Sequence, residues 1–369
     1  MVILKELLNN WLMCLIRLAL GFVCTLMLMF SNVCGMTLPL ARTNAFETLD
    51  ISKEFRVQIL TTENGLPQNT VLSLCQSSDG YLWVGTLDGL LRYDGVKFTL
   101  FDKKNTPSFK NQAVLAIAEN PAGCMWIGTP QGLLKYSHHE FEFFSLGATP
   151  VGVHSICPRK AGGLWLGTDV GPAILEDGRF HLFTNYPAYH STRGGLVGQF
   201  TGVEVVSEDP TGTLWVGDDR GVVRLRPGQN AFEVVYAPED LPVILKITCD
   251  GEGGVWFGDN AGLYRWSEEA FVHFPARANG FPNERLDPLC WDSRFGLLVQ
   301  SWNGHLSLLK DGRFAQYSDK DPASVRDPLR CACTDREGNI WAGASRTGLH
   351  LLQRHLVKTL SSQLSSRFG

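Results

Sequence analysis

Beyond residue 50 the 369-residue chain lacks any helical hydrophobic period of useful length. Helical architectures are thereby set aside. It also lacks a basic stripe: its 33 Lys and Arg and 37 Asp and Glu are interspersed, for a net charge of −4. Phosphate backbones are neutralised by clustered cations, so nucleic acid is not an expected partner. No Cys or carboxylate pattern falls at metal-ligand spacing, and His138-His139, the one tight His cluster, sits where a hairpin turn belongs. No metal or cofactor is expected. No acid/base pair stands out, and no His, Asp and Ser set announces a triad, so the chain reads as non-catalytic. A disulfide framework is missing too. Of ten cysteines, Cys14, Cys24 and Cys34 precede residue 46, which leaves an odd seven.

What is present is a repeat. YLWVGTLDGLLRYDG at 81–95 returns as MWIGTPQGLLKY, LWLGTDVGPAILEDG, LWVGDDRGVVRL, VWFGDNAGLYRW and IWAGASRTGLHLL. A worn copy at 297–312 has Leu298 where the others have Trp. The marker positions are Trp83, Trp126, Trp165, Trp215, Trp256, Leu298 and Trp341, spaced by 43, 39, 50, 41, 42 and 43 residues. A period of this length means a repeat architecture. Within one copy, VLSLCQ, YLWVGT, LLRY and KFTLF alternate with turn signals. Four short antiparallel strands make one propeller blade. The expected fold is all-β: a single seven-bladed β-propeller over 46–354, preceded by a signal peptide or membrane anchor at 1–45.

Several repeated positions have mechanical readings. Asp94-Gly95 is read as the two central residues of a type I′ turn, where φ is positive. Gly85, Gly128, Gly167, Gly217, Gly258 and Gly343 lie two after the marker. Gly inside a strand points to close backbone approach or a bulge. The Trp residues are expected to pack between neighbouring sheets. Cys75, Cys157, Cys290 and Cys333 all lie eight before the marker, where other repeats have Ala118, Ser207 and Thr248. The position wants a small side chain. Equivalent places in different blades lie too far apart for disulfides, so none of the seven cysteines is expected to be paired.

GLPQNTVLSL at 65–74, the LWVGT core and the DG-x-F strand resemble the two-component regulator propeller repeat, from about Phe55 to the C-terminus. The resemblance implies an extracytoplasmic sensor module of a bacterial hybrid histidine kinase or diguanylate cyclase receptor. Such modules often come as two seven-bladed rings, a β-sandwich, a membrane helix and an output domain. No sandwich, second membrane helix or output motif is seen here. The resemblance also implies a small-molecule ligand, with carbohydrate as the guess, and leaves room for a homodimer. The rival readings are an exported propeller enzyme of the lyase, glycosidase or quinone-dependent dehydrogenase type, and a structural interaction scaffold.

At the N-terminus Lys5 and Arg17 precede a thirteen-residue apolar run, Leu18 to Phe30. That is the layout of a secretory signal. Uncleaved, it would anchor the chain in the inner membrane. Either way a periplasmic location is expected. The longest inter-blade connections are 184–202, 276–288 and 318–328, all on one face of the ring. Loops on a rigid scaffold concentrate binding groups. The ligand candidates are therefore Tyr186, Tyr189, His190, Arg193, Asn283, Glu284 and Arg285. Both FRVQIL (55–60) and HLVKTL (355–360) could supply the last strand of blade seven. The turn before HLVKTL has no Gly, Asn or Asp. FRVQIL is therefore expected to pair with 348–352. That leaves 355–369 as a leftover strand and tail, the start of a second ring in a sensor cut short.

Overall fold

In a computed structural model each repeat forms one four-stranded antiparallel sheet, giving seven sheets. The structure describes residues 55–186, 202–238, 243–267, 270–275, 285–302, 304, 306–310, 313–316 and 327–354. The expectations about 1–45 and about HLVKTL fall outside these residues. Among the described residues no helix is long and apolar enough to cross a membrane.

Blade one shows the plan. Its strands are Val71–Gln76, Leu82–Thr86, Gly89–Tyr93 and Phe98–Phe101, paired in that order. Blade seven is built from both ends of the domain. Phe55–Leu60 pairs with Leu349–Arg354, from Phe55 opposite Arg354 to Leu60 opposite Leu349. Ring closure by the first strand is as expected. Phe55 and Leu60 lie on opposite faces of the strand, each buried against a neighbouring blade with 2% and 6% exposure, and the strand's other side chains are open or half-open.

Seven hydrophobic clusters fill the interfaces between blades. The marker Trp of each blade packs on the next: Trp83 against Met125 and Ile127, and Trp341 against Leu82 and Leu91. Every marker Trp is 8% exposed or less. Burying a side chain of this size contributes, as an upper estimate, about 4–6 kcal/mol of transfer free energy.

The register explains the small-residue position. Cys75, Ala118, Cys157, Ser207, Thr248, Cys290 and Cys333 each lie directly opposite their blade's marker. A larger side chain there would contest the indole's space. All seven cysteines after residue 45 are free. Burial pushes Cys75 up to about 11 and Cys157 and Cys290 up to about 12. Thiols so disfavoured as thiolates are unreactive. On the indole's other flank stands a cation, Arg92, Lys135, Arg224 or Arg265, opposite Trp83, Trp126, Trp215 and Trp256. Blade three has Ile174 there, and Arg159 covers Trp165 instead at 4.5 Å.

Two hairpins differ from each other in an instructive way. His138 and His139 have φ of 51° and 67° between paired Ser137 and Glu140, a two-residue turn with both residues left-handed. Asp94-Gly95 is not such a turn. The last pair is Tyr93–Phe98, so four residues form the loop and only Gly95 has positive φ. The Asp94 carboxylate accepts from the N–H groups of Val96 and Lys97, which holds the wider loop.

The turn before the marker gives a direct prediction. Asp250 Oδ2 accepts from Trp256 Nε1 at 2.8 Å and from Arg265 Nε at 2.8 Å, while Oδ1 caps the turn. Asp209 and Asp335 do the same for Trp215 and Trp341. In blade two this position is Asn120, and Trp126 Nε1 is buried without a partner. Asp250→Ala should therefore cost about 3 kcal/mol, because it strands a buried donor and a guanidinium. Asn120→Asp should instead stabilise by about 1 kcal/mol. Urea unfolding midpoints of the two variants should move in opposite directions.

Candidate functional site

The innermost strand of each blade runs beside the ring axis, and one offset on it faces the axis. Eleven residues before the marker stand Leu72 and Leu115 in blades one and two, His154 and Glu204 in three and four, then Leu245, Asp287 and Arg330. All seven line one cavity of about 400 Å³. In blades one, three and seven this residue is skipped in the ladder, between Val71 and Ser73, Val153 and Ser155, Leu329 and Cys331. A bulge leaves its extra residue unpaired and re-aims its side chain, here toward the axis.

The remaining wall comes from Lys246, Gln300, Trp302, Asp327 to Leu329, Ser345 and Arg346. Trp302, Ser345 and Arg346 belong to turns between second and third strands. Those turns share a face of the ring with the connections between blades, so the cavity is a mouth on that face. The wall is divided. Leu72 and Leu115 make an apolar arc, and blades three to seven make a charged one.

Most of the charges are already paired. His154 Nε2 lies 2.6 Å from Asp169 Oδ1. Arg285 meets Asp287 at 3.0 Å and donates to the Val243 carbonyl at 2.5 Å. Burial pushes the Asp287 carboxyl up, and the Arg285 guanidinium pulls against it. Burial also works to raise Asp327, but the backbone N–H groups of Arg346 and Thr347 and the Arg346 side chain outweigh it and hold Asp327 low. Behind that pair Thr347 Oγ1 lies 2.8 Å from Nε2 of His350, whose burial drives it down to about 4.

Three charged groups are left without an ionic partner among the described residues. Glu204 and Lys246 have no side-chain hydrogen bond there, and Arg330 meets only the Ser345 hydroxyl at 2.9 Å. Burial raises Glu204, with His154 and Lys246 opposing. Beside them Trp302 is 58% exposed, an unusual state for so large an apolar side chain.

The worn sixth repeat contributes to the mouth. At three other junctions the residue twelve before the next marker donates to a backbone carbonyl: Val114 N to Thr86 O at 2.9 Å, Val203 N to Thr168 O at 3.0 Å and Ile244 N to Asp218 O at 2.8 Å. Blade six has Gln300 where the others have Gly, and Leu329 N donates to Gln300 Oε1 at 2.6 Å instead.

Of the loop residues expected to bind ligand, Tyr189, His190, Arg193, Asn283 and Glu284 lie outside the described residues. Tyr186 donates its hydroxyl to Asp218 Oδ2 at 2.7 Å, as Tyr236 does to Asp259 at 2.6 Å, so it has a structural job between blades. Arg285 reaches the mouth through Asp287. Residue reasoning did not single out Leu72, Leu115, His154, Glu204, Lys246, Trp302 or Arg330. A fixed offset whose residue type changes from blade to blade was the available signal.

The sequence profile of the two component regulator propeller matches residues 65–88. No curated protein matches the chain. Among solved structures, the extracellular domains of two hybrid two-component systems from B. thetaiotaomicron are similar. One is 21% identical with a TM-score of 0.58, and 81% of this chain covers 42% of it. The other is 20% identical with a TM-score of 0.63, and 81% covers 39%. This chain thus spans less than half the length of either. Virginiamycin B lyase from Staphylococcus aureus is 14% identical with a TM-score of 0.64, with 81% of this chain covering 99% of the enzyme. At these identities the solved structures establish the ring alone. With the profile match and the seven blades in hand, the chain is a seven-bladed β-propeller in which residues 65–88 match the two-component regulator propeller repeat.

Proposed function

We propose that this chain is the exported, non-catalytic ligand-sensing part of a bacterial signalling receptor, and that its ligand is a small molecule bound in the axial mouth. The observation that carries the reading is a concave site with an exposed Trp302 and three charged groups lacking ionic partners. A cavity of about 400 Å³ is in the range of small-molecule sites, roughly 300–1,000 Å³. Partnerless charge in a half-buried site is costly for a fold and useful for a ligand. The likeness to extracellular domains of two-component systems supports export and sensing.

A library of sugars, peptides and amino acids, read by melting temperature, tests this. A ligand that binds only the folded ring raises its melting point. Trp302→Ala should weaken the hit about tenfold or more while the free protein melts nearly unchanged, since the side chain is already exposed. A stabilising ligand indifferent to Trp302, Glu204 and Lys246 would move the site elsewhere.

One observation favours an enzyme as the second reading. The His154–Asp169 pair stands in the same mouth, and a carboxylate-oriented imidazole is general-base geometry. The likeness to a lyase points the same way. Turnover of a stabilising hit, abolished by His154→Gln, would select that reading over sensing.

A further inference from the structure

The three charges without ionic partners have a pattern. Lys246 and Arg330 are cations on blades five and seven, and Asp287 between them is already held by Arg285. Glu204 is an anion on blade four. Across the axis, Leu72 and Leu115 present the apolar arc, while Leu245 stands beside Lys246 on blade five. A neutral sugar would offer no charge of its own to any of the three. A simple carboxylic acid would satisfy the cations and meet Glu204 with like charge. A simple amine would do the reverse.

We infer that the mouth is built for a zwitterion with an apolar body, an α-amino acid with a hydrophobic side chain. Its carboxylate lies between Lys246 and Arg330, its ammonium against Glu204, and its side chain against Leu72 and Leu115. Trp302 closes the solvent side, where an aromatic face also attracts an ammonium group. Charge-assisted hydrogen bonds are the strong ones, which makes recognition depend on both ends of the ligand. This assignment rests on the mouth being the sensing site and adds the ligand's chemistry to it.

The test separates the two. Whole protein is titrated calorimetrically with L-leucine and L-phenylalanine, with isovalerate as acid alone, isoamylamine as amine alone, and a neutral oligosaccharide mixture. The amino acids should bind at least about tenfold tighter than either half-ligand. Lys246→Gln should weaken the amino acids and isovalerate by about 10- to 100-fold and leave isoamylamine unchanged. Glu204→Gln should weaken the amino acids and isoamylamine and leave isovalerate unchanged or improved. Both substitutions keep side-chain size, and circular dichroism with melting confirms folding. Amino acids that bind no better than their halves, or indifferently to both variants, overturn the assignment. A neutral oligosaccharide that binds through Trp302 while amino acids do not overturns it too, and leaves the sensing reading standing. Hits that ignore every mouth variant overturn both.

Discussion

Replacing both buried side chains of the closing strand, Phe55→Ala with Leu60→Ala, should leave little folded protein at 37 °C. The two act at different joints. Phe55 packs on Phe295 of blade six, with ring centroids 5.6 Å apart, and on Leu298 and Leu352. Leu60 packs with Leu66 and Val71 of blade one and with Trp341. Truncating a buried Phe costs about 3–5 kcal/mol and a buried Leu about 2–5. Sites without shared partners add, and the sum rivals the 5–15 kcal/mol that typically separates folded from unfolded states. Each single variant should fold with a lowered urea midpoint. A loss below about 1 kcal/mol for either would mean that the strand is dispensable and that the ring closes by another route.

Gly258→Ala should be the most damaging single methyl group in the chain. A Cβ there would lie 1.6 Å from the carbonyl oxygen of Leu286, which is backbone of the next blade. No rotamer can relieve that clash, so blades five and six must separate, at a cost above about 3 kcal/mol. Gly80→Ala is the control. Nothing lies within 4 Å of its Cβ, and only its φ of +95° opposes substitution, worth about 1–2 kcal/mol. Equal unfolding midpoints for the two variants would contradict the close approach of blades. Where the ring closes, Gly343 stands close to the side chain of Val71.

These two predictions mark what the sequence made legible. Trp, Gly and the small residue eight before the marker recur because every blade solves one packing problem in one way. Repetition made them visible. Closure was legible because a turn without Gly, Asn or Asp argued against HLVKTL. The mouth was hidden for the opposite reason. The axis-facing offset holds Leu, His, Glu, Asp or Arg according to blade, so it does not look like a repeat. Tyr186 resembled a ligand residue because its Asp218 partner lies in another blade, where Asp replaces the usual Thr. The Asp94 loop was misread because Asp-Gly signals a turn without fixing how many residues the carboxylate will cap.

The mouth exists only if seven innermost strands share one axis, which requires the first strand to seal blade seven. Arg56 and Gln353 are both exposed and stand directly opposite each other across that seam. Opposed residues of an antiparallel pair are near bonding distance for an engineered disulfide. The measurement is the oxidation of the double variant Arg56→Cys, Gln353→Cys. An intramolecular crosslink should form under mild oxidant, and melting should rise reversibly by the equivalent of about 4–5 kcal/mol, as for a bridge closing a long loop. Crosslinks only between molecules, or none, with residues 55–60 cut readily by protease, would contradict the closed ring and the mouth with it.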